Sequence, residues 1–581
     1  MRTKRKSWHV SMLLLLSIIL IATACSSSNT PSNTPGNTTG DGQPVTGNEQ
    51  SGGNETSSGL SIVNGKFDPP VTLTTVKALG PNLKFRDGET IEDNIYTRII
   101  KEQLGIEMEY LWTTSVLENA YQTKLMLSLA SGEELPDVLN VPSDVAQQLI
   151  DSGKFQPVDE LFEQYAGEKW KEAARQAEVD WLPYLRDGRR YAIPSFNYKY
   201  ENDPLMYIRQ DWLDNLGLKA PTTISELEVV MDAFVNQDPD GNGKKDTVGI
   251  AIKMDEPALT VDPKSWIRSN WVYGSQGALP GQWDVNDQGE LIYGSIKPEI
   301  KDGLALFRSW YEKGYLHKEF GLHDEMKASE LFNSEQAGII IGAGWIWAWP
   351  LNALNDLNPD AVIQSYPVPT GDNGMLQIHG LIDHYQVTLI NKDMEHPEIY
   401  FALQNFFYEE YADPKDGGIF ENGLAEGYDW AVVDGKIVTA ENEVPDGAIS
   451  GKDYALDPQI ARIPELQAKS LRKLAAGGAP ETPFEKRLAL GAGGVEIVLR
   501  NADLVMDQER YIVPNAFLGA PTETMIEHSD YLIKLEQETF NKIIYGALPL
   551  DAFDDYVNNF LKTGGEQITK EVQEWYDANI K

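Results

Sequence analysis

The chain has one cysteine in 581 residues, Cys25, so no internal disulfide is possible and the fold rests on packing alone. Cations are scarce. Forty-nine Lys and Arg face 88 Asp and Glu, for a formal charge of −39. Such a chain lacks the clustered basic residues that phosphate contacts need, which excludes nucleic acid as a partner. Only seven histidines are present, and none pairs at zinc-ligand spacing. The sequence has no G-x-S-x-G, no H-E-x-x-H, no phosphate-binding G-K-[ST] and no C-x-x-C. Long apolar runs are missing beyond Met12–Ile21, which is too short to span a bilayer comfortably.

That one run belongs to "MRTKRKSWHVSMLLLLSIILIATACSSS". Arg2, Lys4, Arg5 and Lys6 form a basic n-region, and small residues lead to Cys25. The pattern resembles a bacterial lipoprotein signal, residues 1–25, with Ala22 where that pattern favours Leu. The resemblance implies that Cys25 is acylated and holds the chain on the extracellular face of the cell membrane. Residues 26–59 are almost purely Ser, Thr, Asn, Gly and Pro, and read as a flexible tether.

From Leu60 onward the chain is too long for a single core. β runs such as "PVTLTTVKAL", "IEMEYLW", "PDVLNV", "AGIIIG" and "HYQVTLI" alternate with helical patterns such as "NIYTRIIKEQLG", "EIKDGLALFRSWYEKG" and "EIYFALQNFFYEEYA". The fold class is α/β, with more than one lobe. In open sheets of this kind ligands collect beyond strand carboxyl ends. "PDVLNVPSD" puts Asn140, Ser143 and Asp144 at such an end. "GIIIGAGWIWAWP" puts Trp345, Trp347 and Trp349 at every second position beside Gly342 and Gly344. Continued as a strand, it would turn all three indoles one way, either into a core or as a platform for a sugar's C–H face. Trp266 and Trp271 form a second aromatic group, five apart.

"DPDGNGKKD" has calcium-loop spacing. Asp238, Asp240 and Asn242 stand at positions 1, 3 and 5, Gly243 at the bend, the Lys244 carbonyl at 7 and Asp246 at 9. Position 12 is Gly249 rather than Glu, and "TVGIAI" reads as a following strand, so the loop is not an EF-hand. A structural Ca2+ is expected there.

"SGEELPDVLNVPSD", "LIDSGKFQPVDEL", "DGRRYAIPSFNYKYENDPLMYIRQDWLDNLGLKAPTTISEL", "LFNSEQAGIIIGAGWIWAW" and "KLEQETFNKIIYGALPLDAFDDYVNNFLKTGGEQITKEVQEWY" resemble, in this order, the extracellular solute-binding proteins of sugar ABC importers, in the branch related to alginate-oligosaccharide binders. The likeness runs from about Pro70 to the end. It implies a two-lobed periplasmic-binding-protein type II fold, each lobe a mixed sheet flanked by helices, hinged by crossing strands. The expected limits are 60–195 with 375–495 for lobe 1 and 196–374 with 496–581 for lobe 2. Trp345 matches the position of a stacking aromatic, with Trp347 on the same face. Asn197 and Tyr198 fall at the first crossing, and His379, His384 and Tyr385 at the return. The related binders carry a similar calcium loop with an acid after the last Asp, where this chain has Thr247. The resemblance implies a monomeric receptor, not an enzyme, that takes an oligosaccharide to a separate permease. A surface-anchored glycoside hydrolase or polysaccharide lyase with the same aromatic cleft is the alternative, and a receptor for a peptide or other non-sugar solute the second. Arg189, Arg190 and Lys199 are the residues that could make the cleft locally basic.

Overall fold

The structure is a computed structural model that describes residues 54–55 and 60–581, apart from 255–258, 260–264, 381, 383, 385, 440–442 and 492–495. The leader, Cys25, the tether through residue 53 and Tyr385 lie outside the described residues. Asn54–Glu55, expected in the tether, pairs antiparallel with Ser61–Val63. The described residues belong to one compact unit, Gly53–Lys581. Among them no helix is long and apolar enough to cross a membrane.

The first half begins with two parallel strands, Val71–Leu79 and Ile106–Ser115, joined through the helix Ile95–Leu104. The helix starts where Asn94 accepts from the amides of Tyr96 and Thr97 while Thr97 returns a bond to the cap. It ends at Gly105, whose φ of 70° is left-handed. A Cβ on Gly105 would also stand 2.3 Å from the Phe67 carbonyl oxygen, so only glycine fits. Tyr96, Ile100 and Leu104, at i, i+4 and i+8, form its buried face. Val138–Pro142 pairs antiparallel with Gln386–Ile390, which also pairs with Ile193–Pro194. Thr75 Oγ1 donates to the Val138 carbonyl at 3.0 Å and ties this group to the parallel pair. The cores below these strands draw on residues 67–196 and 387–461.

The second half is built on Pro204–Arg209, all six residues buried, between the antiparallel strands Ile339–Ala343 and Ile363–Tyr366. Helices Ile224–Asn236, Glu299–Glu312, Glu523–Ile544 and Ala552–Phe560 supply a large part of its core. "TVGIAI" does not form the expected strand. Val248 and Ala251 make only isolated bridges, to Ala337 and Ile340.

The two sets of cores exchange the chain three times. Phe196 packs in the first and Tyr200 in the second; Ile378 in the second and Val387 in the first; Ala461 in the first and Ala468 in the second. The structure is thus two-lobed, each lobe combining small antiparallel and parallel sheets with helices, and hinged by crossing segments. The expected limits placed 375–495 in lobe 1. Leu376 and Ile378 pack instead in the core of the second half, and the helix Leu466–Ala475 lies against Glu496–Asp507 there. Local pattern carries no information about which core a strand or helix joins.

Candidate ligand-binding site

A cavity of about 520 Å³ opens at the carboxyl ends of Val71–Leu79, Ile106–Ser115 and Val138–Pro142. That volume lies within the range of small-ligand sites. Its polar lining includes Lys77, Tyr121, Asn140, Asp144, Gln386 and Asp453. The Tyr121 hydroxyl donates to the Asn140 carbonyl at 3.1 Å, and the Asn140 amide donates to Thr388 Oγ1 at 3.2 Å and reaches Ser195 Oγ at 3.5 Å. Asp144 lies in the first turn of Ser143–Asp151, where the helix dipole favours a carboxylate. Gln386 Oε1 is buried without a hydrogen-bond partner among the described residues. Lys77 is 8% exposed, and its ammonium donates to the Ala455 carbonyl. Burial lowers its pKa to about 8, against the pull of Asp457 and Asp453.

The tryptophans of the second half are arranged differently from the strand expectation. Ile339–Ala343 ends before them and residues 344–350 form turns. Positions four apart then share a face, so Trp345 joins Trp349 at 6.4 Å with rings 15° from parallel. Trp266 closes the group, 5.6 Å from Trp345 and 5.8 Å from Trp349. Trp347 joins none of these ring pairs among the described residues, and with Trp266 and Trp345 it packs against the core that contains Tyr207 and Ile340. Trp349 is the most open, at 54% exposure. Gly342 serves this cluster rather than a ligand: a Cβ there would lie 2.5 Å from the Trp266 carbonyl oxygen, and Ile267 bridges to Gly342. Gly344 has ordinary room.

Cavity and cluster meet the same crossing segment. Asn140 touches it at Ser195, and the Trp345 indole N–H donates to Asn202 Oδ1 at 3.1 Å. The sheet registers agree, since Pro142 pairs with Gln386 next to Pro194, and Ala343 with Pro204. Asn197 and Tyr198 lie between these points but are held by Arg462, which donates to Asn197 Oδ1, pairs with Glu201 at 2.9 Å and stacks 4.7 Å over the Tyr198 ring. Burial raises the Tyr198 phenol to about 12, with Arg462 opposing. Arg462 belongs to the third crossing, so it fastens two crossings together. Asp203, at the end of the first, is raised to about 6 by burial, offset by Arg268 and Lys199.

Other candidates lie inside their lobes. Trp271 is 1% exposed, packs 6.1 Å from Trp310 and donates its indole N–H to the Arg268 carbonyl. His384 is buried between the Tyr184 hydroxyl, 2.7 Å from Nε2, and the Asp180 carboxylate, 3.4 Å from Nδ1. Nε2 is taken by Tyr184, while Nδ1 faces the Asp180 carboxylate without a hydrogen bond among the described residues. His379 is buried on Ile378–Gly380 and held neutral, its pKa lowered to about 3 by burial and then by Arg268.

In the loop 238–246, Gly243 donates its amide to Asp238 Oδ2 at 3.1 Å and Lys244 to Asn242 Oδ1 at 2.7 Å. The Asn242 amide bridges Asp240 at 2.6 Å and Asp246 at 3.3 Å. Burial, then the neighbouring Asp238 and Asp246 charges, raise the Asp240 carboxyl. Among the described residues no group of three or more His, Cys, Asp or Glu stands in metal-holding geometry. The donor set is nonetheless all hard oxygen once the Asn242 amide turns its carbonyl inward, which suits calcium.

Sequence reasoning missed Lys77, Gln386, Asp453 and Arg462. The one charged residue in the β-rich run "VTLTTVKAL" was a usable signal for the first; the others lie in segments without local signature.

The chain is 25% identical over 489 residues to the polygalacturonan/rhamnogalacturonan-binding protein YtcQ of Bacillus subtilis, covering 82% of this chain and 86% of that one. It is 24% identical over 455 residues to the fructooligosaccharide ABC transporter substrate-binding protein FusA of Streptococcus pneumoniae, covering 72% and 74%. The fold matches the crystal structure of the alginate-binding protein AlgQ2 without calcium ion, with a TM-score of 0.57 and 20% identity over 88% of this chain and 98% of that one. A family model for the bacterial extracellular solute-binding proteins matches residues 86–410, more than half the length, and so this two-lobed chain with a cavity at its strand ends is a member of that family.

Proposed function

We propose that the protein is a receptor that holds an oligosaccharide between its lobes and delivers it unaltered to the permease of an ABC importer. The observation that carries this reading is the first crossing: Ser195 reaches the polar cavity of one lobe and Asn202 the tryptophan cluster of the other. A sugar presents hydroxyls to the first and C–H faces to the second, and a hinge between them closes both on it. The named ligands of YtcQ, FusA and AlgQ2 are glycans, both acidic and neutral, which supports an oligosaccharide and leaves its charge open. In this reading lobe 1 comprises about 60–195 and 387–461, and lobe 2 about 204–380 and 468–581. The receptor works as a monomer on the extracellular face of the membrane, anchored by lipid at Cys25. A calcium ion is held by Asp238, Asp240, Asn242, the Lys244 carbonyl and Asp246, where it would neutralise crowded carboxylates and brace the loop.

The test is thermal unfolding of the full-length chain with a panel of oligosaccharides, each recovered afterwards. A ligand at a hundred times its Kd adds about 2.7 kcal/mol to the folded state. A shift with an intact sugar supports the receptor, whereas cleavage of the sugar transfers the site to a hydrolase or lyase. Chelation followed by titration with calcium should raise the melting temperature in the native chain but not in D240N.

A further inference from the structure

Building on the receptor reading, we infer that the cleft selects an uncharged oligosaccharide and rejects polyuronates, with Asp144 and Asp453 serving as acceptors for sugar hydroxyls. The cavity sets one cation, Lys77, against these two carboxylates. Lys77 already donates to the Ala455 carbonyl, and the buried Asp457 lies within its field. An adjoining hollow of about 410 Å³ shares Asn82 and Asp453 with the cavity, and sets Lys84 and Lys452 against Asp429 and Asp453. Neither hollow holds a surplus of positive charge.

The cations that sequence offered as a basic patch are engaged elsewhere. Arg189 lies 3.9 Å from Asp159 and 3.8 Å from Glu160, Arg190 stacks 4.9 Å over Trp181, and Lys199 pairs with Glu509 at 3.0 Å and Glu465 at 3.8 Å. At the crossings Arg462 is matched by Glu201, and Arg268 lies in the field of Asp203. A polyuronate brings one negative charge per sugar into a cleft that is being desolvated as it closes. Each carboxylate left unmatched there lowers affinity by about tenfold or more. A neutral sugar meets the opposite situation. An ionised carboxylate is acceptor-only, its two oxygens suited to hydroxyl donors in charge-assisted bonds. The tryptophan cluster needs no charge on its ligand.

Isothermal titration of the full-length chain, with calcium present, distinguishes the outcomes. The probes are tetragalacturonate, tetramannuronate, the carboxyl-reduced counterpart of each, xylotetraose and nystose. Reduction changes only a carboxylate to a hydroxymethyl group, so each pair isolates charge. The expected result is binding of at least one neutral probe, with each uronate about tenfold weaker than its reduced counterpart or silent. A uronate that binds more tightly than its counterpart, with affinity falling as salt rises, overturns the inference and leaves the receptor standing. Silence across all probes overturns the receptor reading and the inference with it. In the D144N/D453N variant the ratio within each pair should narrow by about tenfold. An unchanged ratio, with neutral binding retained, removes these two carboxylates as the selecting groups.

Discussion

Glu536 lies 2% exposed on the helix Glu523–Ile544, where it accepts from Tyr556 at 2.8 Å, Ser295 at 2.9 Å and Tyr293 at 3.3 Å. Burial raises its pKa from 4.5 to about 7, although all three hydroxyls favour the charged form. The folded state therefore keeps its proton to a higher pH than the unfolded chain does. The stabilisation is fully present below pH 4.5 and is lost as pH rises through 7. A shift of this size corresponds to about 3 kcal/mol. The perturbation is E536Q, which keeps the shape and a hydrogen-bonding group but cannot ionise. Relative to the native chain, the variant should gain about 3 kcal/mol between pH 4.5 and 8. The assay is thermal unfolding of both proteins at half-unit pH steps, taking only the difference in melting temperature so that the other 87 acidic residues cancel. That difference should move by roughly 3 °C across the range, the small shift following from the large unfolding entropy of a body this size. A flat difference, or one that favours the native chain as pH rises, refutes the reasoning, because it would mean that the three hydroxyls outweigh burial.

Trp349→Ala should weaken oligosaccharide binding by about tenfold while changing stability by less than about 1 kcal/mol, since the ring is largely exposed. Trp271→Ala should do the reverse, costing about 3–5 kcal/mol of stability through a buried cavity; calorimetry and titration together separate the two. Arg462→Ala removes the fastening between two crossings and should cost about 2 kcal/mol, with Arg462→Lys recovering less than half because a lysine supplies charge without the planar fork; chemical unfolding of the three proteins measures it. Gly342→Ala drives a methyl against the Trp266 carbonyl and should cost about 2 kcal/mol while altering tryptophan fluorescence, as the indole cluster moves. An unchanged spectrum in that variant would mean that the cluster does not depend on this close approach.

Much of the fold was legible because it is local. The helix Ile95–Leu104 was marked by apolar positions three and four apart and closed by Gly105, and Val71–Leu79 by its β-branched run. Asn140 and Asp144 could be placed at a strand end for the same reason, and they line the cavity. The tryptophans were harder. Alternation in "GWIWAW" is a strand signal only if the strand continues, and it stops at Ala343. A turn then reassigns faces, so Trp345 meets Trp349 and Trp347 falls outside that stack. Trp271 and His384 carried the composition of binding residues but are packed within their lobes, because a half-apolar ring fills a core as well as a cleft.

The sequence by itself determined the α/β class, the order of strands and helices, the absence of disulfides and the acidity, since each depends on composition or on hydrogen bonds closed within a few residues. Tertiary structure alone decided which groups share a site. Trp266 reaches Trp345 and Trp349 across some eighty positions, and Lys77 finds the Ala455 carbonyl and Asp457 across nearly four hundred. It also decided that the chain crosses between lobes three times. Such contacts arise when segments remote in the chain bury apolar surface together, and no local periodicity encodes which remote segment will be the partner.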